Sequence, residues 1–296
     1  MPEAAPLDRA ALVAAAGETI RHGSKSFHAA SRLFDRQARE RAWLLYSWCR
    51  HCDDVCDGQV LGGAGRTGPL GAVEELHAKT HRALAGERTG EMPFDALAVV
   101  AHECAIPHRF VFDHLAGFAL DEDGWRPSDE AELVTYCYHV AGAVGCMMAV
   151  AMGVPAEDED TLARASDLGI AFQLSNIARD IGEDQAAGRC YLPASWLEEA
   201  GLNPADPMRP EGREGLVRIV ARLVELGNRY EESALAGVRK LPFRSRWAIL
   251  AAAGIYGGIG RRVAALGASA WDQRVVIRRR RKLITIVSAL RGALAA

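Results

Sequence analysis

Asp53 and Asp57 stand four residues apart in Trp48-Cys49-Arg50-His51-Cys52-Asp53-Asp54-Val55-Cys56-Asp57. On a helix they share one face, one turn apart. Like charges at that spacing repel by about 0.2–0.5 kcal/mol, and no base follows four residues beyond either one. A cationic partner is therefore expected at this face. A second set lies in Gln173-Leu174-Ser175-Asn176-Ile177-Ala178-Arg179-Asp180-Ile181-Gly182-Glu183-Asp184. At helical pitch Gln173, Asn176, Asp180 and Asp184 fall within an arc of about 80°, with Leu174, Ile177 and Ile181 supplying apolar packing beside them. The stripe contains no lysine or glutamate, unlike an ordinary solvated face. Hard oxygen donors of this kind suit Mg²⁺, which binds through one or two carboxylates plus phosphate oxygens. Two facing stripes would hold several such ions and clamp a diphosphate. One Asp-x-x-x-Asp alone is common on solvated helices; the pair, on otherwise apolar helices, is what points to a site.

Other chemistry-bearing residues support blander readings. Cys49, Cys52 and Cys56 share a helical face, but no fourth soft ligand accompanies them and the adjacent carboxylates favour hard ions. They are expected to pack. His102 and His108 flank Cys104 without the His-Glu-x-x-His spacing of a zinc site, and are expected to be structural or exposed. The stretch from Gly62 to Gly68 lacks both the Gly-Lys-Ser/Thr ending and the preceding strand of a phosphate loop. It reads as a connection between helices.

The elements that must position these residues are helical. The chain has 296 residues, 49% apolar and 25% charged, with a net charge of −3. That is the profile of an ordinary globular protein and excludes disordered and low-complexity classes. The near-zero net charge also argues against a general nucleic-acid binder. Seven cysteines without a signal-like N-terminus point to a reducing, cytoplasmic setting. No alternating β pattern persists. Periodicity and breakers predict helices over about 8–21, 36–57, 70–87, 107–119, 129–153, 157–185, 212–238, 243–266 and 272–293. The expected fold is a single all-α domain over 1–296, its helices surrounding a central cavity. Between Glu132 and Glu157 no Asp, Glu, Lys or Arg occurs, long enough to cross a bilayer. Its Ala, Gly and Met content instead reads as a buried central helix. The small residues of 141–153 and 251–260 leave two readings open, room for a cavity or close helix–helix packing.

Several long motifs, in order, resemble the squalene/phytoene synthase family of head-to-head prenyl synthases. They are Gly23-Ser24-Lys25-Ser26-Phe27, Leu45-Tyr46-Ser47-Trp48-Cys49-Arg50 running into Asp53–Asp57, and Tyr136-Cys137-Tyr138-His139-Val140-Ala141-Gly142-Ala143-Val144-Gly145. Ala171-Phe172-Gln173-Leu174-Ser175-Asn176-Ile177-Ala178-Arg179-Asp180 follows, running on to Gly188-Arg189-Cys190-Tyr191-Leu192-Pro193. The resemblance implies an isoprenoid-synthase helical bundle around a hydrophobic channel. It implies Mg²⁺, with Mn²⁺ as a substitute, held by Asp53, Asp57, Asn176, Asp180 and Asp184. Gln173 would line the same site. Ser24, Arg50, Arg179, Tyr256 and Arg274 would contact diphosphate, and Phe27, Tyr46, Tyr136 and Gly145 would line the channel or stabilise intermediates. The implied reaction joins two geranylgeranyl diphosphates through a cyclopropyl diphosphate to phytoene, without NADPH. Squalene or dehydrosqualene synthesis from two farnesyl diphosphates is the enzymatic rival, and a helical membrane-adaptor protein the non-enzymatic one. After Arg274 the chain departs from the family's Ser/Thr-rich stretch and reads Val275-Val276-Ile277-Arg278-Arg279-Arg280-Arg281-Lys282.

That departure coincides with a charge asymmetry. Residues 261–296 carry nine bases and one acid, a balance of +8, which leaves −11 for residues 1–260. The basic end reads either as a solvated helix terminus or as a surface for an anionic membrane, at about 1 kcal/mol per basic residue near the lipid.

Overall fold

The computed structural model describes residues 8–58 and 71–295; the predicted Gly62–Gly68 connection lies outside them. Among the described residues thirteen α-helices follow one another: α1 (Arg9–Gly23), α2 (Lys25–Ser31), α3 (Arg36–Cys56), α4 (Ala72–Leu84), α5 (Met92–Cys104), α6 (His108–Glu122), α7 (Glu130–Cys137), α8 (Ala143–Ala151), α9 (Glu159–Ala186), α10 (Ala194–Glu199), α11 (Arg213–Gly237), α12 (Phe243–Leu266) and α13 (Arg279–Ala295). No strand occurs among the described residues. Several helices begin where the sequence supplies an acceptor for orphan backbone donors. Asp8, Asp35, Asp129 and Asp158 each accept a backbone N–H in the first turn of their helix. At α7 the Glu132 carboxylate also accepts from Ser128 N at 2.8 Å, a reciprocal cap.

Three differences from expectation have physical reasons. The predicted helix over 129–153 is interrupted by a π-turn at Tyr138–Gly142, a local widening common where function needs a helix re-aimed. The predicted helix over 272–293 starts only at Arg279, because residues 271–278 run irregularly past the end of α12. Helix α5 was not expected, since its continuous apolar run Ala96-Leu97-Ala98-Val99-Val100-Ala101 has no amphipathic rhythm.

Two apolar clusters build the body. One is centred on Trp48, Phe94, Leu97, Leu115 and Met147, the other on Leu133, Leu174, Ile177, Trp196 and Leu223. Helices of both clusters line one cavity. The charge-free run behaves as expected of a buried helix: α8 packs on α9, and Cys137, Ala143, Met147 and Ala151 are fully buried. Helix α12 is also long and apolar enough to span a bilayer, yet Ala248, Ala251 and Val263 are buried in the protein.

The small residues serve both open readings at once. A Cβ on Gly145 would sit 2.3 Å from the Ala165 carbonyl oxygen, and one on Gly169 would sit 2.2 Å from that of Ala141. Only glycine lets α8 and α9 come this close. Gly145, Gly169, Ala141 and Ala165 nevertheless also line the cavity.

Candidate active site

The long helix α9 carries Gln173, Asn176, Asp180 and Asp184 towards the C-terminal end of α3, which carries Arg50, Asp53 and Asp57. Asp53, Gln173 and Asn176 line one end of the apolar cavity, whose volume is about 350 Å³. Asn176 donates Nδ2–H to Gln173 Oε1 at 3.5 Å. Along α9 the lining extends from Asn176 back to Thr161, about 22 Å at 1.5 Å per residue. Phe27, Tyr46, Phe172 and Tyr256 join the lining at the polar end. The rings of Phe27 and Tyr46 meet edge-on at 5.5 Å, and those of Phe172 and Tyr256 stack at 4.6 Å. Deeper along α12, Ala252, Ile249 and Ala248 take over, with Phe34 and Met152 from other elements.

The polar end is a lattice of carboxylates and guanidiniums. Arg50 lies 3.4 Å from Asp53 and 3.2 Å from Asp54. Arg179 pairs with its neighbour Asp180, and Arg274 reaches Asp180 at 3.0 Å while also pairing with Glu183. A second guanidinium at the first acidic face is that of Arg189, 2.7 Å from Asp57. Gly188, at φ +77, makes this arrangement: its left-handed backbone ends α9 and folds the chain back. Arg189 N then donates to the Asp184 carbonyl at 2.8 Å.

A fifth carboxylate, Asp121 at the end of α6, completes the floor. It accepts hydrogen bonds from Tyr191 at 2.7 Å and Tyr136 at 3.0 Å. The two tyrosine rings stack at 4.8 Å. Tyr136 is thus buried against Asp121, Tyr191 and Trp125 rather than among the cavity-lining residues. Ser24 caps α2, its Oγ accepting from Phe27 N at 3.2 Å, and lies next to Tyr256. Tyr46 Oη is buried beside Arg50 with no hydrogen bond of good geometry.

Electrostatics follow from this crowding. Burial pushes the carboxyls of Asp53 and Asp184 up to about 7. Arg50 opposes the rise at Asp53; Asp180 adds to it at Asp184, where Arg189 opposes it. Burial also raises Asp121, against the pull of Tyr191 and Arg189. Partly buried acids that want a counter-charge, all presenting oxygen, fit divalent cations. Among the described residues no three His, Cys, Asp or Glu side chains form a closed cage. Each ion would therefore take one or two carboxylates here and complete its shell with phosphate oxygens and water.

This arrangement predicts an inverted pH dependence of stability in the metal-free protein. Unfolded, Asp53 and Asp184 lose their protons near the ordinary carboxyl value of 3.8; folded, near 7. Between those values the folded state holds the extra protons, so these two groups make stability fall as pH rises from about 4 to about 7. Thermal melts followed by circular dichroism should give a higher Tm at about pH 5 than at about pH 8. Divalent ions with inorganic diphosphate should raise Tm most at the alkaline end, where the carboxylates are ionised. A Tm that climbs steadily from pH 5 to pH 8 would contradict the burial of these two acids.

Asp121, Arg189, Tyr191 and Phe172 had no role read from sequence. Asp121 sits in Asp121-Glu122-Asp123, which looks like a solvated helix end. Arg189 and Tyr191 fall inside a motif that was visible, with nothing local to say which way they point. The cysteines pack as expected: all seven are unpaired, and Cys49 and Cys52 are buried. His102 and His108 are exposed.

Known proteins share both the sequence and this arrangement of helices. A family model described as squalene/phytoene synthase matches residues 20–281. The 15-cis-phytoene synthase of Pantoea ananas is 49% identical over 281 residues, covering 94% of this chain and 90% of that protein. The phytoene synthase of Rhodobacter capsulatus is 39% identical, covering 94% of this chain and 80% of that one. A crystal structure of a dehydrosqualene synthase with ligand superposes with a TM-score of 0.87 at 24% identity, covering 98% of this chain and 99% of that one. At that identity it speaks for the fold alone.

Proposed function

This chain belongs to the squalene/phytoene synthase family, and from that premise we propose that it condenses two geranylgeranyl diphosphates head to head into 15-cis-phytoene. The observation that carries the reading is one elongated, largely apolar cavity with a charged cluster at one end. Asp53, Gln173 and Asn176 line that end. Asp57, Asp121, Asp180 and Asp184 cluster near them with four guanidiniums. Mostly apolar side chains follow α9 for about 22 Å as far as Thr161 and Arg164. An extended C20 prenyl chain, with C–C bonds of about 1.5 Å in zig-zag, needs roughly that length.

The residues divide the work. Arg50, Arg179, Arg189 and Arg274 bind diphosphate oxygens through charge-assisted hydrogen bonds. Asp53, Asp57, Asn176, Asp180 and Asp184 would hold Mg²⁺, which supplies Lewis-acid neutralisation of the departing diphosphate. The allyl cation left behind is protected because the lining excludes water. The rings of Phe27, Tyr46, Phe172 and Tyr256 line the mouth, where their π faces can stabilise positive charge. Tyr136 and Tyr191 act one layer out, fixing Asp121 under the acidic floor. In the family's route the second alkene attacks and a proton is lost to give a cyclopropyl diphosphate, whose ionisation and rearrangement end in loss of a second proton. Two substrates thus yield one C40 hydrocarbon, two diphosphates and two protons. No hydride is consumed, so no NADPH is needed.

Metal removal tests the clamp. Turnover should vanish in excess EDTA and return with Mg²⁺ or Mn²⁺, read as diphosphate release. Undiminished turnover in EDTA would contradict the assignment of the acidic faces.

A further inference from the structure

The large apolar side chains exposed among the described residues gather at one end of the chain. They are Val276 (69%), Leu283 (63%), Ile284 (60%), Val287 (52%) and Leu294 (71%), and only Phe243 lies elsewhere. Four of them are on α13. That helix is fastened to α12 by its other side. Ala289 and Ala293 are buried, Trp247 donates Nε1–H to the Ile286 carbonyl at 2.8 Å, and Arg246 donates to that of Ala293 at 3.2 Å. Thr285 fills the notch at Gly254, where a Cβ would meet its methyl at 2.6 Å. The outward side of a well-packed helix is normally polar; here it is apolar. At helical pitch Leu283, Val287 and Leu294 fall within about 40° of one another, with Arg280 and Arg291 on their flank.

Charge is concentrated at the same place. A second cavity, of about 600 Å³, lies between the end of α12 and the irregular segment before α13. Arg262, Arg274, Arg278 and Arg281 line it, with Asp272 as the lone acid. Of these, Arg274 is engaged with Asp180 and Glu183. Among the described residues Arg262, Arg278, Arg279, Arg280 and Arg281 make no ion pair within 4 Å. Cationic side chains beside outward apolar ones on one helix are the pattern of an interfacial helix. A second copy of this chain would cover the apolar face too, but a two-fold contact would set arginines against arginines.

We propose that α13 and the arginine segment before it dock on an anionic lipid bilayer. Leu283, Val287 and Leu294 enter the headgroup boundary, and the arginine-lined cavity takes a lipid headgroup phosphate. Because Arg274 lines that cavity and pairs with Asp180, the docked end adjoins the mouth of the active site. The proposal stands on the surface alone and is independent of the reaction carried out inside.

Vesicle co-sedimentation of the full chain tests it. With phosphatidylglycerol-containing vesicles at low salt the protein should pellet, and at about 0.5 M salt it should be released. It should stay in solution with phosphatidylcholine alone. R278Q/R280Q/R281Q should lower partitioning by on the order of 100-fold, the equivalent of about 1 kcal/mol per arginine. L283S/V287S should weaken binding at unchanged helical circular dichroism. Since none of these residues touches the acidic mouth, both variants should keep turnover on micellar substrate. Equal recovery on neutral and anionic vesicles, absence of vesicle binding, or a dimer that the serine variant dissociates would each overturn the proposal.

Discussion

Alanine at Asp53 or at Asp180 should abolish product formation, a loss of at least about 10³-fold, the scale seen when a preorganised electrostatic contact is removed. The two positions fail for different reasons. Asp53 lines the cavity, and partial burial pushes its carboxyl up to about 7; removing it deletes a proposed metal ligand from the first acidic face. Asp180 holds both Arg179 and Arg274, so its loss releases two guanidiniums as well as a proposed metal ligand. Neither change should unfold the protein: at Asp53 it removes a like charge from a crowded floor, and at Asp180 the freed guanidiniums keep Glu183 and Asp184 beside them. Far-UV circular dichroism should match the parent while diphosphate release is lost. Full activity in either variant would sink the metal-clamp reading.

The second large effect concerns substrate length. Ala252 lines the cavity on α12 one turn below Tyr256, so a bulky side chain there intrudes on the path of a long prenyl chain. Ala252→Phe should lower kcat/KM for the C20 substrate by about 10–100-fold, the range set by steric fit in an apolar pocket. The C15 substrate should lose less, so the preference between the two shifts towards farnesyl diphosphate. Ala252→Val should fall between parent and Phe variant. Competition assays with both diphosphates would measure the shift. An unchanged C20-to-C15 ratio in the Phe variant would show that the chain does not run along α12.

The sequence made the two acidic faces legible because helical spacing turns position into direction. Gln173, Asn176, Asp180 and Asp184 come out along one side of α9, the first two lining the cavity, as periodicity requires. The same logic was silent on Asp121 and Arg189. Their roles depend on where α6 ends and on the left-handed turn at Gly188, and neither has a periodic signature. Helix α5 escaped notice for a related reason: a helix buried on most sides loses the apolar–polar rhythm that marks a surface helix. The ambiguity of the small residues dissolves in three dimensions, because Gly145 and Gly169 both close the α8–α9 contact and border the cavity. Tyr136 shows the opposite limit. Its motif was visible, but only packing reveals that its hydroxyl is spent on Asp121 rather than directed into the cavity.

The most direct measurement is the identity of the hydrocarbon made by the purified chain from geranylgeranyl diphosphate with Mg²⁺ and no NADPH, run beside the same incubation with farnesyl diphosphate. Chromatography with mass detection should find a C40 product with the conjugated triene absorption of phytoene, formed faster than any C30 product and unaffected by added NADPH. A C30 hydrocarbon as the main product, a requirement for NADPH, or no hydrocarbon at all would contradict the account.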